Sequence, residues 1–314
     1  MSGHLITVGE AMAALSSPIT GPLRHAPNLK LGVAGAEATT AIGVSRLGGK
    51  AVWIGRVGDD EFGRLIRMTL AGQGIPGEHV ITDDTAPTAL LVKERRNGMR
   101  TNVSYYRSGS AGSRVRPSDV DSQLVRTAGA LHLTGITPAL SGSAREAAHA
   151  AADTARSADV PISLDLNYRA ALWSPDEAAR ELREFAAMST VLFATEDEAQ
   201  LLVDGSGPEE LAEELARLGP PQVVIKQGGR GAFGLVDGKP LPEPPRPSTV
   251  VDPVGAGDAF AAGYLAALLE AAPAERRMRD AAAAGALAVA VDGDWEGLPS
   301  RAELADPDGS DVSR

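Results

Sequence analysis

The sequence contains no cysteine. That excludes disulfide staples, thiolate metal centres and cysteine nucleophiles, and it accords with a reducing compartment. Aromatic residues are scarce, 4% of the chain, so stacking platforms for nucleic-acid bases are not expected. Positive charge is in deficit: 30 Lys and Arg stand against 41 Asp and Glu, a formal net charge of −11. No Lys/Arg-rich cluster offsets this, and no nucleic-acid partner is expected. Long hydrophobic runs are missing as well; none nears the roughly 18 to 20 apolar residues of a spanning helix. Residues Met1–Glu10 lack the basic start and apolar core of a signal peptide. A soluble, cytoplasmic protein with no membrane partner is the expectation.

What is present is length and alternation. The 314 residues can bury a substantial core as one large α/β domain or two average ones. Short runs rich in β-branched residues predict strands at Leu5–Val8, Val52–Gly55, Ala130–Leu133, Ile162–Asp165, Val191–Phe193 and Val223–Lys226. Stretches of helical period separate them at Ala36–Leu47, Glu61–Gln73, Ala144–Ser157, Asp176–Ala187, Glu196–Val203 and Glu209–Leu218. Such alternation predicts a doubly wound, mostly parallel sheet whose ligands bind beyond the carboxyl ends of its strands. Two segments break the pattern, Ile19–Val33 and Pro87–Tyr106, the second with Ala89–Lys93 and Asn102–Tyr106 flanking the turn Arg96-Asn97-Gly98. They predict a small accessory sheet, with ordinary surface hairpins as the alternative. Lys239–Pro247 (KPLPEPPRP) reads as a stiff loop, and Glu303–Arg314 as a frayed polar tail.

The richest segment is Val250–Phe260, VVDPVGAGDAF, which runs into an Ala/Leu helix reaching about Ala272. Gly255 and Gly257 let the backbone turn sharply and present amides at a helix start, a seat for a phosphoryl group. Asp258 could serve as an N-cap alone. A cap, however, does not require two preceding glycines, an Asp-Pro entry, or the small residues Ala259, Ala261, Ala262 and Gly263 that permit close helix packing.

The string Asp-Pro-Val-Gly-Ala-Gly-Asp-Ala-Phe resembles the C-terminal signature of the ribokinase-like (PfkB) carbohydrate kinases. An N-terminal counterpart stands in Arg46-Leu47-Gly48 and Gly55-Arg56-Val57-Gly58-Asp59-Asp60-Glu61-Phe62-Gly63, and the resemblance runs from Val8 to Asp294. It implies one kinase domain over 1–314, a three-layer α/β/α core with a central mostly parallel sheet, and a small β-sheet lid formed by insertions at about 11–34 and 86–110. It also implies that Asp258 takes the proton of a sugar hydroxyl attacking the γ-phosphorus of ATP, while the amides of Gly255, Ala256 and Gly257 form the anion hole. A helix N-terminus is expected to keep Asp258 ionised and therefore weakly basic, which a loose transition state tolerates.

On the nucleotide side, Lys226-Gln227-Gly228-Gly229-Arg230-Gly231 is similar to the family's Lys-x-Gly-x-x-Gly turn. The overlapping G-x-G-x-x-G at Gly229–Gly234 leads into a predicted strand rather than a helix, which argues against a dinucleotide fold, and no Walker motif occurs. The family's Asn-x-x-Glu corresponds to Thr195–Glu198, with Thr195 in place of Asn. The resemblance places Asn167, Arg169, Thr195, Lys226, Gly228, Gly229, Gly231, Gly255 and Gly257 on ATP. It offers Glu198 and Asp294 as metal candidates; a solvated helix face and a turn are their respective alternatives. Mg2+, held mainly by phosphates and waters, and a monovalent cation such as K+ are the implied ions.

Within the family, Tyr105–Ser113, His132–Ser141, Leu164–Arg169 and Leu172–Pro175 are most similar to 2-keto-3-deoxygluconate kinases, as is Gly35-Ala36-Glu37-Ala38. Gly35, Ala36, Glu37, Thr39, Tyr105, Tyr106, Arg107, Arg169 and Asp258 are the implied sugar contacts. The implied product is 2-keto-3-deoxy-6-phosphogluconate. Arg107 and Arg169 suit a sugar carboxylate, provided that the lid folds over the pocket. Thr39 replaces the group's Asn and Leu91 its lid Tyr, which keeps fructokinase or ribokinase activity open. A non-catalytic sugar or nucleotide sensor is the alternative from another class. Exposed edges and faces of the lid suggest a homodimer through that sheet.

Overall fold

The computed structural model of the protein describes residues 3–97 and 100–305. Among the described residues thirteen strands form two sheets: β1 (His4–Val8), β2 (Met12–Ser16), β3 (Lys30–Ala34), β4 (Lys50–Gly58), β5 (Val80–Asp83), β6 (Leu90–Asn97), β7 (Arg100–Tyr106), β8 (Ala130–Thr134), β9 (Ile162–Asp165), β10 (Val191–Thr195), β11 (Gln222–Lys226), β12 (Ala232–Val236) and β13 (Lys239–Glu243). Nine make the central sheet in the order β13-β12-β11-β10-β9-β8-β1-β4-β5. Seven of these run parallel, and β12 and β13 close one edge antiparallel. Buried on both faces, the inner strands are largely apolar, as Val223, Val224 and Ile225 illustrate. From β1 the chain proceeds to β4 and β5 on one side, then returns to β8 on the other. The order therefore reverses between β1 and β8, where a crevice opens at the strands' carboxyl ends.

The predicted six strands and six helices are all present, with ends shifted by a few residues. Helix starts follow local chemistry. Ser174 and Glu177 form a reciprocal capping box that opens Pro175–Met188, and Asp60 caps Glu61–Gly72 by accepting from Gly63 N at 2.8 Å. Asp60 also accepts from Thr88 N and Thr88 Oγ1, each at 2.8 Å, and Arg56 grips Asp119 at 2.6 and 2.8 Å. The N-terminal signature thus anchors the chain entering β6.

Several expectations need correction. Lys239–Pro247 is not all loop: its first five residues are the edge strand β13. Proline is tolerated there because an edge strand has one row of backbone groups that need no partner. The first insertion contributes β2 and β3, with a short 3-10 turn at Leu23–His25 between them. The strand Met-Ala-Ala-Leu-Ser escaped notice because its alanines carry little β preference. Arg301–Ala305 is helical rather than frayed, closed by Ser300 and Glu303. Residues 306–314 of the expected tail, and Gly98 of the expected turn, lie outside the described residues.

The second sheet has the order β3-β2-β6-β7 and is mixed, since β2 and β6 pair in parallel. Strand alternation splits it into two faces. Met12, Leu91, Lys93, Val103 and Tyr105 share the inner one, which covers the crevice.

Candidate active site

The helix Ala256–Leu269 is buried around most of its circumference, packed between the helices Ala36–Arg46 and Ala274–Ala288. Its small residues allow that closeness: a Cβ on Gly263 would overlap the Asp280 carbonyl oxygen. The helix begins at Gly255, whose φ of +79° suits glycine, and a Cβ there would overlap the Asp294 carbonyl oxygen. Gly255, and not Asp258, occupies the cap position. Asp258 lies in the first turn and makes no capping bond, so its carboxyl is available to the cavity it lines.

Two cavities meet at this turn. The first, about 350 Å³, is lined by Gly35, Ala36, Tyr105, Arg107, Asn167, Arg169, Thr195, Glu198, Lys226, Gly255, Gly257, Asp258 and Asp294, together with Met12, Leu91, Lys93, Val103, Ile136, Pro253 and Val254. The second, about 640 Å³, has a glycine rim at Gly228, Gly229 and Gly231 and an apolar wall including Pro244, Val250, Phe260 and Val289. Lys226, Pro253 and Gly257 border both. Helix geometry leaves the first amides without intrahelical acceptors; that of Ala256 makes a long turn bond to Pro253 O at 3.4 Å.

The carboxyl ends of β9 to β11 supply the polar floor. Lys226 Nζ donates to Asp165 Oδ2 at 2.6 Å, and Asn167, in a left-handed conformation with φ of 40°, places Nδ2 at 3.4 Å from Asp258 Oδ1. Burial and the neighbouring Asp165 carboxylate push the Asp258 carboxyl up to about 7, against the pull of Lys226 and Arg169. The expectation of a fully ionised Asp258 is thereby overturned. The partial charge of a helix terminus is smaller than the desolvation cost of a carboxylate enclosed in this cavity.

Other expected residues fall in unequal places. Arg107 and Arg169 reach the same cavity from the lid and the floor. Arg107 is already paired with Glu10, through Nε at 2.8 Å and Nη2 at 2.6 Å, and lies over the Tyr105 ring at 5.3 Å. Arg169 donates to the carbonyl of Tyr168 at 3.1 Å. Tyr106 is on the lid's outer face, 66% exposed, and does not border the cavity. Glu37 and Thr39 are buried behind it; Glu37 accepts from Thr134 Oγ1 at 2.6 Å and Thr137 Oγ1 at 2.8 Å and joins three elements. Glu198 closes a capping box with Thr195 and receives Tyr168 N at 3.0 Å, so both carboxylate oxygens are engaged. Asp294 pairs with Lys93. Among the described residues no group of three or more His, Cys, Asp or Glu side chains gathers around a metal position. No described helix is long and apolar enough to cross a membrane.

Sequence reasoning missed Lys93, Glu10, Asp165 and the apolar wall around Phe260. For Lys93 a signal existed: it shares the strand face of Leu91. Glu10 and Asp165 carry no local mark, because their partners lie 97 and 61 residues away.

Comparison with known proteins supplies the family. Residues 2–301 match the model of the pfkB family of carbohydrate kinases. A 2-dehydro-3-deoxygluconokinase of Thermoproteus tenax is 40% identical, covering 95% of this chain and 92% of its own length. The Bacillus subtilis enzyme of that name is 35% identical, with 96% and 94% covered. The crystal structure of the Thermotoga maritima 2-dehydro-3-deoxygluconokinase superposes with a TM-score of 0.90 at 25% identity, covering 97% of this chain and 99% of that one. With both signature segments present and a match along nearly its whole length, the chain belongs to the pfkB family of carbohydrate kinases, with a ribokinase-like fold.

Proposed function

We propose that the protein transfers the γ-phosphoryl group of ATP to the C6 hydroxyl of 2-keto-3-deoxygluconate, the compound also called 2-dehydro-3-deoxygluconate. The observation that carries this reading is the position of Asp258, at the junction of a polar cavity bearing two guanidinium groups and a larger cavity with an apolar wall. The first suits a sugar acid. The second, with its glycine rim, suits a purine nucleotide whose phosphates extend toward the Gly255–Gly257 amides.

Phosphoryl transfer then divides among this chain's groups. Asp258 accepts the hydroxyl proton as the oxygen–phosphorus bond forms and the bond to the ADP oxygen breaks. The amides of Gly255 and Gly257, with the long-bonded one of Ala256, face the charge on the transferring group. Lys226, tied to Asp165, stands between the cavities as the cation for phosphate oxygens. Mg2+ supplies charge neutralisation when it arrives with ATP, and the engaged carboxylate of Glu198 fits contact through water rather than direct ligation. The lid keeps water from the phosphoryl group. Its outer face, with Leu31 and Tyr106 exposed, suits pairing with a second copy of the chain.

Because Asp258 must be ionised to accept the proton, kcat/KM is expected to rise tenfold per pH unit below about 7 and to level off above it. A profile already flat from pH 5 upward would show that Asp258 keeps its ordinary acidity in the free enzyme. An ADP-release assay over keto-deoxy sugar acids, fructose, ribose and nucleosides tests the substrate.

Arg107 tests the carboxylate contact. Arg107→Ala alone would strand Glu10 in the interior, where burial already pushes its carboxyl up against the pull of Arg107 and Ser110. The double variant Glu10→Gln/Arg107→Ala avoids this. Its KM for the sugar acid is expected to rise at least about tenfold more than its KM for a neutral sugar, the value of one charge-assisted bond. Equal increases would rule out the assignment.

A further inference from the structure

The inner face of the lid carries a charge that the transfer step does not use. Lys93 of β6 is 5% exposed at its side chain, and its ammonium lies between Asp252 Oδ2, at 3.4 Å, and Asp294 Oδ1. The two carboxylate side chains are just as withdrawn from water, at 6% and 9% exposure. Burial opposes a charge on Lys93, but the attraction of Asp294 and Asp252 outweighs it and holds the ammonium above its ordinary value.

Both partners frame the phosphoryl-binding turn. Asp252 Oδ1 accepts from Val254 N at 3.1 Å, so the carboxylate touching Lys93 also fixes the residue before Gly255. The backbone of Asp294 packs against the Cα of Gly255. One ammonium therefore links the two segments that set the position of the Gly255–Gly257 amides. The link extends along the lid: Arg95, two residues on, pairs with Asp292 at 2.9 Å, and Lys30 of β3 reaches the same carboxylate at 3.3 Å.

Asp294 was the residue on which a metal contact was expected, and this carboxylate already holds a cation supplied by the chain. We propose that Lys93 is a tethered monovalent cation: a positioning residue whose ammonium holds the phosphoryl-binding turn in register with the closed lid, so that no free monovalent ion is needed at this seat. The inference rests on the kinase reading for its rate effect but not for its binding effect. Without the ammonium, two buried carboxylates face each other, and the seat must take up a proton or a small cation.

The test compares the full-length wild type with Lys93→Ala and Lys93→Arg. Turnover, and separately the melting temperature with no sugar or nucleotide present, are measured against methylammonium chloride and potassium chloride, with choline chloride as a cation too large to enter. Wild-type kcat and melting temperature should be the same in all three salts. Lys93→Ala should lose about 100-fold in kcat, the scale of a small misplacement at a reacting centre, with a much smaller change in KM for the sugar. Methylammonium or K+ should recover at least about tenfold of that loss and raise the melting temperature, whereas choline should do neither. Lys93→Arg, which keeps the charge, should retain most of the rate. Wild-type kcat in Lys93→Ala, or identical behaviour in the three salts by both measurements, overturns the proposal. If Lys93→Ala does not fold, Lys93→Met/Asp294→Asn, which removes one charge of each sign and leaves the net charge of the cluster unchanged, replaces it: kcat well below wild type is then expected, and wild-type kcat overturns the proposal. A wild type inactive on every sugar would refute the kinase reading instead, and the melting measurement would still decide the seat.

Discussion

Asp258→Asn is expected to lower kcat by about 10²- to 10⁴-fold, the usual contribution of a positioned general base, while KM for ATP changes little. Asparagine keeps the shape of the side chain and loses the ability to take a proton. The same substitution should stabilise the protein in a pH-dependent way. The folded protein binds the Asp258 proton with an affinity near pH 7, against an ordinary value of 3.8. The stability that this tighter binding contributes is complete below about pH 4 and is lost as the pH rises through 7. Above 7 the wild type holds an ionised, poorly solvated carboxylate at a cost on the order of a few kcal/mol. Asp258→Asn escapes that cost. Its melting temperature should exceed the wild type's by a margin that grows from pH 5 to pH 8. A full rate would show that Asp258 is not the base, and a margin that does not grow with pH would show that its ionised carboxylate carries no such cost.

Gly255→Ala should be nearly as damaging, for steric reasons. An L-residue at the left-handed φ of Gly255 costs roughly 1–2 kcal/mol. The added methyl would also overlap the Asp294 carbonyl oxygen, so the turn must move. Displacing even one anion-hole donor costs about 10²- to 10³-fold in kcat, and KM for ATP should rise with it. Gly72→Ala, at the end of the helix Glu61–Gly72 with open space where the methyl would go, is the control and should be near neutral. Comparable losses in both variants would mean that the effect is generic to glycine replacement.

Much of this was legible from local pattern. The alternation of Val223–Ile225 with Glu209–Leu218 suffices for a parallel sheet, and Gly255-Ala256-Gly257-Asp258 suffices for an amide-lined helix start, because each depends on neighbours in the chain. The Ser300-x-x-Glu303 box that opens the last helix is equally local. The Pro-rich run after Lys239 was misjudged because proline's exclusion from strands lapses at an edge, and edge status is a property of the whole sheet. Tyr105 and Tyr106 are equivalent in composition, yet only the register of β6 and β7 decides which of them faces the cavity.

By itself the sequence determined the alternation of strands and helices in the core, the glycine turn before Asp258, the family, and the residue types available at the crevice. Its lack of cysteine closed off thiolate chemistry. Only the tertiary structure decided how the charges are used. Asp258 is raised by burial and by Asp165, Arg107 is half spent on Glu10, and Lys93 bridges Asp252 and Asp294. The physical reason is that helix and turn formation depend on near neighbours in the chain, whereas electrostatic energy depends on distance and desolvation. Both are fixed only when residues far apart in the chain are brought together and water is removed from between them.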